Sequence, residues 1–400
     1  MFEKLSTFTR NAAVRHTFGY YFLFICLGLD LAILGPTLPA LANQTHSRLG
    51  QMGLVFLVGA IGYTLGTMVG GRVLDRVRGH PVLGIAQLFA AVLIFFIPLA
   101  PWFWLLLAIL VCKGFAEGVI NTGANALLIW THGEKASPFM NGLHFFFGLG
   151  SFLSPLLVAQ VVGMADGYRW AYWVLAGIAA LVGLRMVTMS GSPHPAPAHS
   201  TETGQAARGP VPYALIISAM LFLFFYVGAE ISFGGWVYTY ALTLKLASAA
   251  GAAYLTSAFW LAFTVGRLIS IPAATRFKPK QVILAALSSC LSILALGIIF
   301  SGSSTALWLM AIGLGFCMAP VWPTGFTLAG QSIHLTGNLT GVILLGDSFG
   351  GMVLPTLMGN VIEGSGPRVM VYLVFGSLVL VFLAFMSMLR LRPAKKLAEA

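Results

Sequence analysis

Four polar side chains in an otherwise apolar segment have the types and the spacing to bind a polar solute. In "CKGFAEGVINTGANALL", residues 112–128, Lys113, Glu117, Asn121 and Asn125 follow one another at intervals of four residues. On an α-helix this interval keeps them on one slowly turning face. Amides and carboxylates supply the mixed hydrogen-bond donors and acceptors that sugar hydroxyl groups require. We therefore interpret this stripe as a candidate site for a sugar or a coupling ion.

Three further acidic residues, Asp30, Glu230 and Asp347, also lie well inside apolar runs. A charge at the centre of a membrane helix costs about 2.5–3.5 kcal/mol, so such residues need a partner, water or a function. For Glu117 two interpretations stay open. It is either a carboxylate that loads and releases a proton, or one that stays ionised against Lys113, which lies within reach at four residues' distance.

The composition places these groups in a membrane. The chain has 400 residues, of which 58% are hydrophobic and only 8% are charged, whereas soluble domains carry about 25% charged residues. This excludes a water-soluble protein. The net charge of +11 is spread singly between apolar runs, so we expect no nucleic-acid partner. Cys26, Cys112, Cys290 and Cys317 lie in apolar segments without metal-ligand spacing, and we expect free thiols.

Twelve apolar runs, each long enough to cross a bilayer, divide the chain into two halves. The only long polar stretch, "SGSPHPAPAHSTETGQAARGPVP", has the composition of a flexible linker. We predict an all-α membrane protein with a six-helix half at residues 1–189, a cytoplasmic linker at 190–211 and a second six-helix half at 212–400. Lys and Arg concentrate on the side that holds both termini, which predicts cytoplasmic termini. The short loops favour a bacterial inner membrane, and we expect a monomer.

The two halves repeat each other at an offset of 200 residues. Charged residues, glycines and prolines match in register with the helix plan: Asp30 with Glu230, Gly35 with Gly235, Gly66 with Gly266, Arg76 with Arg276, Gly150 with Gly350, and Pro155 with Pro355. Many secondary transporters are built from internal repeats of this kind. The repeat therefore favours a transporter.

The loop after the second apolar run carries a family motif. "GGRVLDRVRGHP", residues 70–81, resembles the GxxxDRxGRR loop of the major facilitator superfamily. Four residues stand at the positions of that motif: Gly71, Asp75, Arg76 and Arg78. Gly79 and His80 replace its final basic pair. In that family the loop forms a cytoplasmic latch, so the resemblance implies a gating role. The copy in the second half, "TRFKPK", keeps Arg276 but has Thr275 in place of the acid.

A narrower resemblance covers most of the chain. "AEGVINTGANALL", "MNGLHFFFGLGSFLSPLL", "YVGAEISFGGWVYTY" and "GRLISIP" resemble the branch of fucose–proton symporters and sodium-dependent glucose transporters. The resemblance implies binding and coupling roles for the two carboxylates Asp30 and Glu117. It implies sugar contacts for Asn121, Asn125, Asn141 and His144. Lys113 departs from the symporter pattern, and we interpret it as a counter-ion to one of the intramembrane acids or as a built-in cation.

The function predicted from these features is cation-coupled transport of a hexose or a similar sugar by alternating access. Glu230 and Trp322 are further candidates for substrate binding, and Asp347 for ion coupling. Trp236, Tyr238 and Trp260 are candidates for stacking on a sugar ring. Two alternatives stay open: a cation-coupled exporter of sugars or amphipathic molecules, and an uncoupled sugar uniporter. We expect no enzyme, since the chain has no nucleophile elbow or HExxH motif, and no metal or organic cofactor beyond H⁺ or Na⁺ as coupling ion.

Overall fold

The computed structural model describes residues 12–193, 213–332 and 337–391, and every regular element in these ranges is a helix. The N-terminal half contains α1 (Ala12–Gln44), α2 (Gly53–Leu74), α3 (Gly79–Phe96), α4 (Phe103–His132), α5 (Ala136–Val161) and α6 (Gly167–Val187). The C-terminal half contains α7 (Tyr213–Thr243), α8 (Ala249–Arg276), α9 (Pro279–Ile299), α10 (Ser304–Met318), α11 (Val321–Ser332), α12 (Gly337–Ser365) and α13 (Val369–Arg390). Short 3₁₀ turns lie at Leu49–Met52, Ile97–Leu99 and Gly133–Lys135.

These helices form twelve segments that are long and apolar enough to span a membrane. The twelve segments predicted from the sequence are therefore present. The tenth comprises both α10 and α11, with a turn at Ala319 and Pro320 between them. Pro320 lacks a backbone N–H and its ring crowds the preceding helical turn, which explains the break in helical hydrogen bonding although Ala319 keeps helical backbone angles. Most of the predicted linker, residues 194–211, lies outside the described residues.

Local capping chemistry fixes where several helices begin. The hydroxyl oxygen of Ser303 accepts a hydrogen bond from the backbone N–H of Ala306, which caps the start of α10. Ser248 caps α8 in the same way by accepting from Gly251. α9 begins with Pro279, whose missing N–H is no loss in the first helical turn. Each cap satisfies backbone donors that the helix itself leaves unpaired.

The described residues belong to two compact units. Unit 1 comprises the described parts of Met1–Leu31, Val58–Ser154 and Asp166–Pro210, and unit 2 comprises those of Ala32–Leu57, Pro155–Ala165 and Val211–Ala400. Helices α1, α2 and α5 therefore contribute residues to both units. The division into two six-helix halves at residues 1–189 and 212–400 stays a prediction.

Glycines set the close approach of helices in unit 1. A Cβ atom on Gly66 of α2 would overlap the carbonyl oxygen of Phe115 on α4, and one on Gly150 of α5 would overlap that of Ile25 on α1. Helices that meet at such positions touch backbone to backbone, as small residues allow in membrane proteins. The α1–α5 and α2–α4 contacts therefore position Asp30 on α1 and the polar stripe on α4.

Unit 2 contains the same contacts at the repeat-related positions. A Cβ atom on Gly266 of α8 would lie 2.6 Å from the carbonyl oxygen of Phe316 on α10, and one on Gly350 of α12 would overlap that of Phe224 on α7. Since Gly66 pairs with Gly266 and Gly150 with Gly350 at the offset of 200 residues, the repeat reflects matching helix contacts. This supports the internal duplication inferred from the sequence.

Unit 2 also ties the turn after α1 to the end of α12. Glu363 accepts a hydrogen bond from the backbone N–H of Gly50 at 3.0 Å and forms an ion pair with Arg48 at 3.5 Å. The hydroxyl group of Thr356 donates to the carbonyl oxygen of Gly53 at 3.0 Å. These contacts join a turn of the N-terminal half of the sequence to a helix of the C-terminal half.

Candidate transport site

A buried lysine joins two acidic residues in unit 1. The Nζ atom of Lys113 on α4 donates to Oε1 of Glu117, one helical turn later, at 2.7 Å. The same Nζ lies 3.7 Å from Oδ1 of Asp30 on α1. The side chains of Asp30, Lys113 and Glu117 are 5%, 11% and 15% exposed, respectively. One ammonium group is thus shared by two carboxylates, and all three side chains are largely buried.

The two contacts of Lys113 differ in kind. The contact with Glu117 is a short charge-assisted hydrogen bond. The contact with Asp30 is longer than a hydrogen bond, and Oδ1 of Asp30 is buried without a hydrogen-bond partner. A buried carboxylate oxygen without a donor is unfavourable. Asp30 can therefore accept one more hydrogen bond, for example from a ligand hydroxyl group, or bind a proton.

The amides of the stripe continue along α4 from this charged group. Asn125 donates through Nδ2 to the backbone oxygen of Asn121 at 2.8 Å, and its Nδ2 lies 3.4 Å from Oδ1 of Asn121. Both side chains are half-buried. The ordered pair leaves amide groups free to bond a polar solute, because each side chain has more donor and acceptor sites than these contacts use.

Asn141 and His144 lie on α5 with exposed side chains. The ring of His144 packs edge-on against Phe24 of α1, at a centroid distance of 5.9 Å. The role of both side chains in sugar binding stays a prediction.

Unit 2 brings together Trp322 and Asp347, predicted separately for substrate binding and ion coupling. Trp322 at the start of α11 donates through Nε1 to Oδ1 of Asp347 on α12 at 2.8 Å. The indole ring is stacked on Phe326 at 5.4 Å. Glu230 on α7 interacts with the hydroxyl group of Tyr226, which precedes it by one turn. Trp322 thus holds a candidate coupling carboxylate in place, besides any contact with substrate.

A further charged residue of unit 2, Arg267, was not among the predicted site residues. It lies within α8, which continues to Arg276, and its guanidinium group packs over the ring of Phe263 at 4.5 Å. Its charge acts on both Glu230 and Asp347. Its Nε atom is buried without a hydrogen-bond partner. The signal in the sequence was a single arginine in the apolar run "FTVGRLIS".

The predicted gating residues lie at helix ends. Gly71 belongs to the last turn of α2, and the side chains of Asp75, Arg76 and Arg78 are exposed in the turn that leads to α3. Arg276 is the exposed last residue of α8. The ion pairs found within the described ranges do not include Asp75. A latch role for these residues stays a prediction.

Three of the aromatic candidates are packing residues in this conformation. Trp236 is fully buried, donates through Nε1 to the backbone oxygen of Pro355 at 3.0 Å and contacts Phe56. Trp260 is 3% exposed, and Tyr238 is equally buried. Their rings are covered by protein, which leaves the half-buried Trp322 as the accessible one of the four candidates.

Residues 20–355 match the sequence model of the Major Facilitator Superfamily. This chain belongs to that family. The family predicted from the loop motif is thereby confirmed, as are the twelve-helix fold and the prediction of a membrane transporter that is not an enzyme. The chain is an integral, multi-pass membrane protein.

Related sequences include sodium-dependent glucose transporters of animals. The chain is 29% identical to sodium-dependent glucose transporter 1A of Mus musculus over 407 residues, a match that covers 93% of this chain and 95% of the relative. It is 29% identical to sodium-dependent glucose transporter 1 of Homo sapiens over 386 residues, covering 88% of this chain and 74% of the relative.

Solved structures of similar fold include sugar symporters. The D-xylose–proton symporter has a TM-score of 0.76 at 12% identity, covering 94% of this chain and 97% of that one. A variant of the E. coli fucose–proton symporter, in which one asparagine is replaced by alanine, has a TM-score of 0.60 at 18% identity, covering 94% of this chain and 99% of that one. At these identities the likeness shows a common fold.

Proposed function

We propose that this chain transports a hexose or a similar sugar, driven by a monovalent cation, through the alternating access typical of its family. The observation that carries the proposal is the group on α1 and α4, in which Asp30, Lys113 and Glu117 adjoin the amide pair of Asn121 and Asn125. The names of the glucose-transporter relatives support the substrate class.

The chemistry of this group suits a neutral polyhydroxylated solute. Sugar hydroxyl groups both donate and accept hydrogen bonds, and the group offers carboxylate acceptors, an ammonium donor and amides that do both. Asp30 retains an oxygen without a hydrogen-bond partner, and Asn121 and Asn125 are half-buried. We assign Asn141 and His144, exposed on α5, as further sugar contacts.

The coupling cation acts most directly on acids that lack a fixed counter-ion. In unit 1, Lys113 already contacts both carboxylates. In unit 2, Glu230 and Asp347 form no ion pair within 4.0 Å with another described residue, although Arg267 acts on both from farther away. We therefore assign Glu230 and Asp347 to the response to H⁺ or Na⁺, and Asp30 and Glu117 chiefly to the sugar.

The contacts of Lys113 also favour a second candidate function, uncoupled sugar transport. An ammonium group that stays beside two carboxylates provides the positive charge that a coupling cation otherwise brings. In that case the protein equilibrates its sugar across the membrane without accumulating it.

The basic residues support an orientation with both termini in the cytoplasm. With this orientation, Asp75, Arg76, Arg78 and Arg276 lie at the cytoplasmic ends of their helices, where they form a gate. We also propose that the protein acts as a monomer in a bacterial inner membrane.

The deciding experiment is uptake of labelled glucose, galactose and fucose into liposomes that contain the purified protein. Each sugar is tested with an inward proton gradient, an inward sodium gradient or no gradient. Accumulation with one gradient identifies the symporter and its ion, and equilibration without accumulation identifies the uniporter.

A matched pair of variants tests the assigned site in the same assay. Asn125→Ala removes an amide of the site and should raise KM, whereas Asn43→Ala removes an exposed amide at the far end of α1 and should leave transport unchanged. Folded protein that moves none of the sugars would refute the proposal.

A further inference from the structure

Two buried histidines contact the segment that follows α6. In the sequence they stand apart from the charged group around Lys113. His80, in the first turn of α3, is fully buried, and His16, in the first turns of α1, is 6% exposed. Their rings meet edge to face, with centroids 4.6 Å apart. The transport site described above does not use either residue.

Three hydrogen bonds attach residues 189–192 to these histidines. Nε2 of His16 lies 3.1 Å from the backbone oxygen of Ser190, and Nδ1 of His80 lies 3.3 Å from that of Met189. The backbone N–H of His80 donates to the hydroxyl oxygen of Ser192 at 3.2 Å. We call residues 189–192 the anchored segment.

The partners determine which ring nitrogens carry hydrogen when the rings are neutral. A carbonyl oxygen only accepts, so Nε2 of His16 and Nδ1 of His80 are the protonated nitrogens. Nε2 of His80 is then an acceptor, and the hydroxyl group of Tyr20 donates to it at 2.8 Å. The anchored arrangement is therefore complete with both rings neutral.

The charged groups around the pair make a protonated ring unfavourable. Arg15 and Arg185 act on both histidines, and each is positive. A second proton would also place two imidazolium rings in direct contact. No carboxylate is among the groups that act on either ring, within the described part of the chain. His132, which binds Thr17 at 2.6 Å, lies nearby and adds no negative charge.

We propose that His16 and His80 form a pH-sensitive anchor for residues 189–192. When both rings are neutral, the segment is bound to α1 and α3. Acidification at this end of unit 1 protonates a ring, and the charge is then best accommodated by exposing the histidines to water, which releases the segment. Residues 189–192 connect α6 to the rest of the chain. This connection is therefore held by hydrogen bonds at neutral pH and released at acidic pH.

Hydrogen–deuterium exchange of the purified protein, without sugar, tests the anchor. Exchange of the backbone amides of Met189 and His80, which donate to Met186 and Ser192, is compared at pH 7.5 and pH 5.5 after correction for the intrinsic effect of pH. We expect at least a tenfold increase in corrected exchange at pH 5.5, confined to this segment and the ends of α1 and α3. Unchanged exchange in the wild-type protein would overturn the proposal. Because this measurement needs no substrate, its outcome is independent of whether the protein carries sugar.

Two substitutions separate titration from mere attachment. His16→Gln keeps a donor where Nε2 stands, and His80→Asn keeps one where Nδ1 stands, but neither side chain titrates. The double variant should hold the segment at both pH values. The control His132→Gln, at the same end of unit 1, should keep the response of the wild-type protein. A double variant that still releases the segment at pH 5.5 would show that other groups are responsible.

Discussion

Replacing Lys113 by Met tests whether one ammonium group neutralises both acids of unit 1. At an effective dielectric constant of about 20, the attraction of Lys113 to Glu117 across 2.7 Å is about 6 kcal/mol, and that to Asp30 across 3.7 Å is about 4.5 kcal/mol. Desolvation offsets much of this sum. Removal of one partner of a buried ion pair typically costs about 3–5 kcal/mol, because the other charge is left uncompensated.

We therefore expect Lys113→Met to lower the free energy of unfolding by about 3–5 kcal/mol at pH 7.5. The loss should shrink on acidification, since protonation of Asp30 removes the repulsion between the two carboxylates. The double variant with Glu117→Gln should recover part of the stability at pH 7.5, because one carboxylate is removed together with its counter-ion.

The assay is thermal unfolding of purified protein in lipid nanodiscs between pH 5 and pH 8, together with sugar exchange in liposomes at the same pH values. Lys135→Met serves as control, since Lys135 is exposed and should have almost no effect. If Lys113→Met matches the wild-type protein in stability and exchange at every pH, the shared ammonium group is not the counter-ion inferred here.

Three further substitutions test contacts elsewhere in the molecule. Gly150→Ala should lower the free energy of unfolding by about 1–3 kcal/mol, because the added methyl group meets a backbone carbonyl. Gly163→Ala should leave it unchanged in the same assay, because there is open space around Gly163. Glu363→Ala should lower the free energy of unfolding by about 1 kcal/mol, because it leaves a backbone N–H without its acceptor. Arg48→Ala should lower it much less, because the ion pair between Arg48 and Glu363 is largely exposed. Equal losses for the two variants would contradict this ranking. Trp322→Phe keeps the aromatic ring but removes a hydrogen bond to a carboxylate, so it should lower the free energy of unfolding by about 1.5–3 kcal/mol, and an unchanged value would show that water replaces the indole donor.

The helix plan could be predicted from the sequence because each membrane segment is specified locally. About 20 apolar residues must form a helix in a bilayer, whatever their tertiary neighbours. A proline alone does not predict a break, however: a turn separates α10 from α11 at Pro320, but α1 continues through Pro36 and Pro39. The contact between Lys113 and Glu117 follows in the same way from helical periodicity.

Contacts between helices could not be predicted in this way. Nothing in the spacing of Asp30 and Lys113, on α1 and α4, indicates that they meet. The pairing of Trp322 with Asp347 likewise depends on how α11 packs near α12. The sequence showed His80 only as a departure from the loop motif, whereas the structure shows a buried ring with partners on both nitrogens.

The internal repeat is kept in helix packing and is altered in charge. Gly66 and Gly266 occupy equivalent contacts, yet Asp30 has a lysine within ion-pair distance and its repeat partner Glu230 has no such neighbour in the described part of unit 2. Packing positions resist change because a single added methyl group separates two helices. Charged positions change more freely, since an acid can be neutralised by lysine, arginine, a proton or a bound cation. A duplicated transporter can therefore keep its scaffold while one copy neutralises its acid with a built-in lysine and the other leaves its acid responsive to a cation from solution.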